Sequence, residues 1–309
     1  MHWPLRTMLF IPAHKLDWVR KVSRYRPDSV VLDLEDAVPP SQKQEARGMV
    51  REAIGLLRAQ GIAAFVRINA LGEGGADDVA ALACEGLSGV MLPKADRVEE
   101  IRDLDRLLCH AEGSAGLGLG TAAIMPLPET ARGLWAARDL AAASSRCRGI
   151  VAVIGGPVSG DVARAVGFRP SLEGTEQLYL ASKLVLDSRA GGAAHPMATL
   201  IGTALDDLEA VRSLARRAKA LGYSGAVLIH PSHVAVATAV FTPDQQEVDY
   251  CAGLIAAMQD AQARGDGAVS YQGAMVDYAM LPHAQAVVEE ARRRKGLGRL
   301  DQAGGSSAL

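Results

Sequence analysis

Eight short apolar runs, separated by longer stretches of helix-forming composition, occupy roughly the first 230 residues, and this alternation constrains the fold more than any single motif. The runs are residues 8–11, 29–34, 63–69, 90–93, 119–127, 149–154, 197–201 and 226–229. Helices are predicted between them, among them 17–25, 41–60, 77–85 and 130–145. Eight buried strands with intervening helices are the pattern of an α/β chain folded as a (β/α)8 TIM barrel, whose usual length is about 250 residues. A doubly wound open sheet is the competing arrangement. Against it, the turn after the first run reads IPAHK and lacks the GxGxxG of the nucleotide-binding form.

The polar residues collect where the runs end. Parallel strands joined by crossovers place consecutive carboxyl ends side by side. The fifth run delivers Glu129, and the sixth delivers Asp161 after the glycine-rich GGPVSGD. Such a pair can share magnesium, a hard cation that favours oxygen ligands and keeps several waters. Glu129 also suits a plainer role, because Pro128 followed by Glu and Thr is a good helix start.

Asp33, Glu35, Asp36, Arg67, Lys94, Asp206, Asp207 and His230 follow other runs, and a barrel converges such positions on its catalytic face. Asp33, next to the apolar Val31 and Leu32, is expected to be a buried structural acceptor. Glu35 and Asp36 can orient a metal-bound water or Arg67. Arg67 itself either matches a substrate carboxylate with its fork or pairs structurally with Glu35 or Asp36. Lys94 can neutralise an acid, meet substrate or face solvent. His230, before Pro231, is expected to fix its turn by hydrogen bonding. Cys84 and Cys147 have no activating neighbours in sequence.

With 309 residues, 49% hydrophobic and 22% charged, the chain suffices for one large α/β domain and an appendage. The boundaries expected are 1–240 for the barrel, 241–295 for a C-terminal helical extension, and 296–309 for a disordered tail. The extension reads as a helix over 244–264, a turn at Gly273 and a closing helix from Leu281. A net charge of −2 and a pI near 6.4 argue against nucleic acid as partner. Four dispersed cysteines without CxxC spacing support neither zinc nor disulfides and fit a reducing cytoplasm. No signal peptide and no membrane-length apolar run are expected, so the protein is read as cytoplasmic.

The motifs RTMLFIPA, VVLDLEDAV, FVRINA, GVMLPKAD, LPETARG, GYSGAVLIHPSHV, FTPDQQEV and QGAMVD, taken in order, resemble those of the citrate lyase β-subunit-like proteins. These stand with the malyl-CoA, citramalyl-CoA and citryl-CoA lyases in the HpcH/HpaI aldolase superfamily. The resemblance runs from Arg6 to about Ala291. It implies a barrel whose C-terminal extension packs on a neighbouring subunit in a homo-trimer or homo-hexamer. It implies magnesium held by Glu129 and Asp161, a substrate carboxylate gripped by Arg67, and Asp277 reaching a neighbour's site as general acid or base. Glu35 joins the catalytic candidates, and Pro128 and Lys94 join Arg67 as candidate substrate contacts. The reaction implied is cleavage or formation of a 3-hydroxyacyl-CoA thioester, giving an acyl-CoA and a 2-oxo acid.

The chain departs from the family in a longer GGPVSGDVARAVG segment, in Ala226 and Ala274 where lysines are usual, and in Ala13 where glycine is usual. The lost lysines weaken the expected contact to CoA phosphates. Related readings are an acyl-CoA thioesterase, a free oxo-acid aldolase, or a non-catalytic subunit of a lyase complex.

Overall fold

The computed structural model describes residues 2–82, 84–156 and 160–304. From the amino end it runs β1 (Thr7–Pro12), α1 (Leu16–Lys21), β2 (Ser29–Asp33), α2 (Lys43–Ala59), β3 (Ala63–Arg67), α3 (Gly75–Leu82), β4 (Leu87–Pro93) and α4 (Val98–Ser114). Then come β5 (Ala123–Leu127), α5 (Ala131–Trp135), α6 (Ala137–Ala142), β6 (Val151–Gly155), α7 (Asp161–Val166), α8 (Leu178–Ala190), β7 (Met197–Ile201), α9 (Leu208–Leu221), β8 (Gly225–Leu228) and α10 (His233–Phe241). By internal contacts the chain divides into two compact units, Met1–Phe241 and Thr242–Leu309.

In the first unit the eight strands pair in parallel in the order β5-β4-β3-β2-β1-β8-β7-β6. The sheet is nearly closed as a barrel, as the alternation of runs and helices predicts. The open seam lies between β5 and β6, where, among the described residues, the one isolated parallel bridge pairs Ile124 with Cys147. There Ile124 N donates to Arg146 O at 2.9 Å and Arg148 N to Ile124 O at 3.2 Å. Arg146, 4% exposed, staples this seam. Its Nη1 and Nη2 fork onto Glu112 at 2.8 and 2.7 Å, and its Nε reaches Asp105 at 2.6 Å.

Alternation along the strands sorts side chains between two apolar clusters. Met8, Val31, Phe65, Met91, Met125, Val151, Met197 and Val227 point inward and fill the barrel. A fully buried side chain of this size contributes about 1.5–3 kcal/mol. The opposite faces meet the helices, whose apolar stripes recur every three or four residues. In α2 these are Ala46, Val50, Ala53, Ile54 and Leu57; in α9 they are Val211, Leu214, Ala215 and Ala218.

Several sequence boundaries shift for local reasons. The fifth run becomes strand only at Ala123, because Gly116 and Gly120 have φ of 68° and 80° and leave Leu119 66% exposed. The helix expected over 130–145 is two short ones, α5 and α6. Lys183 Nζ takes the carbonyls of Leu134 and Trp135 at 2.9 and 3.1 Å where α5 ends. Part of the glycine-rich turn before Asp161, residues 157–159, lies outside the described residues.

The second unit holds α11 (Gln245–Ala263), the antiparallel hairpin β9 (Ala268–Tyr271) and β10 (Ala274–Asp277), and α12 (Leu281–Gly304). Asp244 caps α11 by accepting from Glu247 N at 2.7 Å. Gln272 and Gly273, at φ of 48° and 83°, make the two-residue turn whose twist suits a hairpin. Cys251, Leu254, Met258, Val276, Ala284, Val287 and Val288 form this unit's own core. The backbone of α12 continues past Gly296, where the sequence places the start of a tail; residues 305–309 lie outside the described residues. Among the described residues no helix is long and apolar enough to cross a membrane.

Candidate active site at the carboxyl ends of the strands

The parallel register sets Asp33, the last residue of β2, directly beside Arg67, the last residue of β3. The guanidinium therefore turns sideways onto that carboxylate, Nε to Oδ1 at 2.8 Å and Nη2 to Oδ2 at 2.6 Å. The Phe10 ring of β1 lies against its face, 4.8 Å from centroid to Cζ. Nη1 lies 2.9 Å from Glu35 Oε2. Burial works against this charge, but the Asp33 hydrogen bond and the nearby Asp33, Glu35 and Glu129 carboxylates outweigh it and raise the pKa. Asp33 also accepts from the Glu35 and Ala37 amides at 2.9 and 3.1 Å. It is the buried structural acceptor expected of it.

Glu35, 5% exposed, joins two cations. Its Oε1 accepts from Lys94 Nζ at 2.7 Å, while its Oε2 faces Arg67 without an aligned hydrogen bond. The Lys94 pKa is raised by its hydrogen bond to Glu35, against burial, with help from the Glu35, Asp36 and Glu129 charges. Lys94 has φ of 50°, a left-handed conformation that costs a lysine about 1–2 kcal/mol. That conformation aims its backbone N–H at Glu129 Oε2, 3.3 Å away.

Glu129, 9% exposed, is the most perturbed acid here. Its pKa is pushed up to about 7 by burial, then by the Glu35 charge, against Arg67 and the Lys94 N–H, with Asp161 adding to the rise. Asp161, first residue of α7, pairs with Arg164 and keeps its side chain 25% exposed. A buried carboxylate with one long hydrogen bond, close enough to a second carboxylate to feel its charge, is the hard-oxygen donor set that magnesium fits. Among the described residues no group of three or more His, Cys, Asp and Glu side chains forms a metal cage. Two carboxylates leave coordination positions for water and substrate.

The other candidates fall elsewhere. Asp36 is exposed and 3.9 Å from Lys94. Pro128 is buried beside Glu129. Asp207 caps α9 by accepting from Ala210 N at 2.9 Å, and the neighbouring Asp206 is exposed. His230 Nδ1 meets Ser232 Oγ at 2.6 Å and fixes its turn. Burial pushes the Cys147 thiol up to about 12 and raises that of Cys84, which disfavours the reactive thiolate at both. Asp277 lies in the second unit, where it accepts from Ala279 N at 2.9 Å. Sequence reading missed Asp33 and Phe10 as partners of Arg67. The available signal was that runs two and three are adjacent and each carries a charge at its end.

Comparison with known proteins agrees with this architecture. The model of the HpcH/HpaI aldolase/citrate lyase family matches residues 6–231. The chain is 34% identical over 293 residues to a citrate lyase subunit beta-like protein of Deinococcus radiodurans, covering 92% of this chain and 96% of that one. It is 31% identical to the L-malyl-CoA/beta-methylmalyl-CoA lyase of Cereibacter sphaeroides, over 93% of this chain and 95% of that one. Among solved structures, protein CitE of Mycobacterium tuberculosis, in complex with magnesium, acetoacetate and coenzyme A, superposes with a TM-score of 0.72 at 27% identity. That match covers 94% of this chain and 99% of the other. A barrel of aldolase type, the polar ends of its strands and these relatives lead to one conclusion: the chain belongs to the HpcH/HpaI aldolase/citrate lyase family, and it is an enzyme of the carbon–carbon lyase type.

Proposed function

We propose that the protein is a magnesium-dependent lyase that cleaves or forms a 3-hydroxyacyl-CoA thioester of the malyl-, citramalyl- or citryl-CoA kind. The products of cleavage are an acyl-CoA and a 2-oxo acid. The observation that carries this reading is the buried Glu129, raised to about 7 and sensing Asp161, within reach of the Arg67 charge. When bound by Glu129 and Asp161, magnesium supplies a fixed positive charge for the oxo-acid oxygens.

The chain's own residues divide the remaining work. Arg67, held flat by Asp33 and Phe10, offers its remaining N–H donors to the substrate carboxylate. Lys94 and Arg67 hold the Glu35 carboxylate in place between them, and Pro128 walls the same end of β5. In the cleavage direction the 3-hydroxyl loses its proton and the C2–C3 bond breaks. The bonding pair becomes the enolate of the acyl-CoA, whose α-carbon then takes a proton. Asp277, donated by a neighbouring subunit of a homo-trimer or homo-hexamer, is the group that moves this proton.

In this reading the extension of about residues 241–295 is the donating arm, and the cytoplasm supplies the CoA thioesters. A coupled assay of the purified chain against malyl-CoA, citramalyl-CoA and citryl-CoA, with and without magnesium, tests it. Release of acyl-CoA from at least one thioester, lost on chelation and regained with magnesium, is expected. No turnover of any of them contradicts the reading.

A further inference from the structure

Glu35 lies beyond the ladder of β2, yet its carboxylate must meet both Arg67 and Lys94. Asp33 Oδ1 accepts from the Glu35 amide at 2.9 Å, and a lysine from the following helix takes the carbonyls on either side. We propose that Lys43 is a positioning residue for Glu35, acting through the backbone and touching no substrate. Lys43 opens α2, and its Nζ donates to Leu34 O and Glu35 O, each at 3.3 Å, and to Asn69 Oδ1. The first carbonyl belongs to the peptide plane before Glu35 and the second to the plane after it. Peptide units are rigid, so gathering both on one ammonium, with the Glu35 amide on Asp33 and Val38 N on Glu35 O, restrains φ and ψ of Glu35 and hence its Cα–Cβ direction.

The ammonium is itself held from behind. Buried Asn69 donates Nδ2 to Leu34 O at 3.0 Å and to Asp78 Oδ2 at 2.7 Å, while its backbone N donates to Asp78 Oδ2 at 2.8 Å. Asp78, also buried, accepts from Arg47 Nε at 2.8 Å. All three acceptors of Lys43 are neutral, and among the described residues it makes no ion pair. A half-buried cation is costly to hold with neutral dipoles alone. A lysine serving only the surface leaves its head in water.

The proposal rests on Glu35 belonging to the working site, and the test separates the two claims. Parent activity tests the site; the ratio of variant to parent tests Lys43. Lys43→Met should keep the parent's melting temperature within a few degrees and its magnesium affinity. It should lower kcat by about 10- to 100-fold with little change in KM, the usual effect of displacing a site group by about an ångström. Lys43→Arg keeps a charge and folds, but a planar fork cannot converge on the point a single ammonium occupies, and it should lose at least about tenfold as well. Lys43→Cys alkylated with 2-bromoethylamine restores an ammonium of nearly native reach and should recover most of kcat, judged against parent protein treated in parallel.

A crystal structure of Lys43→Met gives a readout independent of turnover, in which Glu35 should have left its bridge between Arg67 and Lys94. Parent-like kcat in Lys43→Arg, failure of verified aminoethylation to restore kcat, or an unmoved Glu35 in the Lys43→Met crystal each overturns the assignment.

Discussion

Glu129 holds its carboxylate where burial disfavours charge, so its titration links the site to stability. Its folded pKa of about 7 stands above the ordinary 4.5. Between those values the folded state binds more protons than the unfolded one, so metal-free protein loses stability as pH rises through that window. Glu129→Gln removes this loss and should stabilise the metal-free protein at pH 8 by about 1–3 kcal/mol, with little effect at pH 4.5. Urea titrations with chelator at both pH values measure it; equal stability of parent and variant at pH 8 contradicts the raised pKa. Arg67 makes a second prediction at this scale. Arg67→Lys keeps charge but loses both the side-on fork to Asp33 and its planar face against Phe10, and kcat/KM should fall by about 100-fold. Unchanged kinetics would return Arg67 to a purely structural role.

At the scale of elements, the seam between β5 and β6 is the barrel's least hydrogen-bonded join, and buried Arg146 spans it. Arg146→Met leaves the Glu112 carboxylate without its buried partner, and breaking such a pair costs about 3–5 kcal/mol. A urea-unfolding loss below about 1 kcal/mol would show that the seam does not depend on it. The strands were legible in the sequence because parallel strands buried on both faces read as unbroken apolar runs. Residues 197–201 fall where the run placed them. The start of β5 was not legible, since Leu119 looks like core until its flanking glycines turn it outward. The Asp33–Arg67 pair needed the register of two strands, which hydrophobicity does not encode. The raised pKa of Glu129 needed its burial and the approach of Glu35, contacts made across separate loops.

At the scale of the whole molecule, the site proposed here needs two chains, one giving the barrel and the other Asp277. Mixing inactive Glu129→Ala with inactive Asp277→Ala, under conditions that exchange subunits, should restore part of the activity. Verified exchange without recovery would place Asp277 within its own chain's site or outside catalysis. The proposed function turns on Glu129 and Asp161 holding magnesium. Calorimetric titration of magnesium into the parent, Glu129→Ala and Asp161→Asn at pH 8 tests that most directly. One site per chain is expected in the parent and loss of binding in both variants, each still folded by circular dichroism. Undiminished magnesium binding by Glu129→Ala would contradict it.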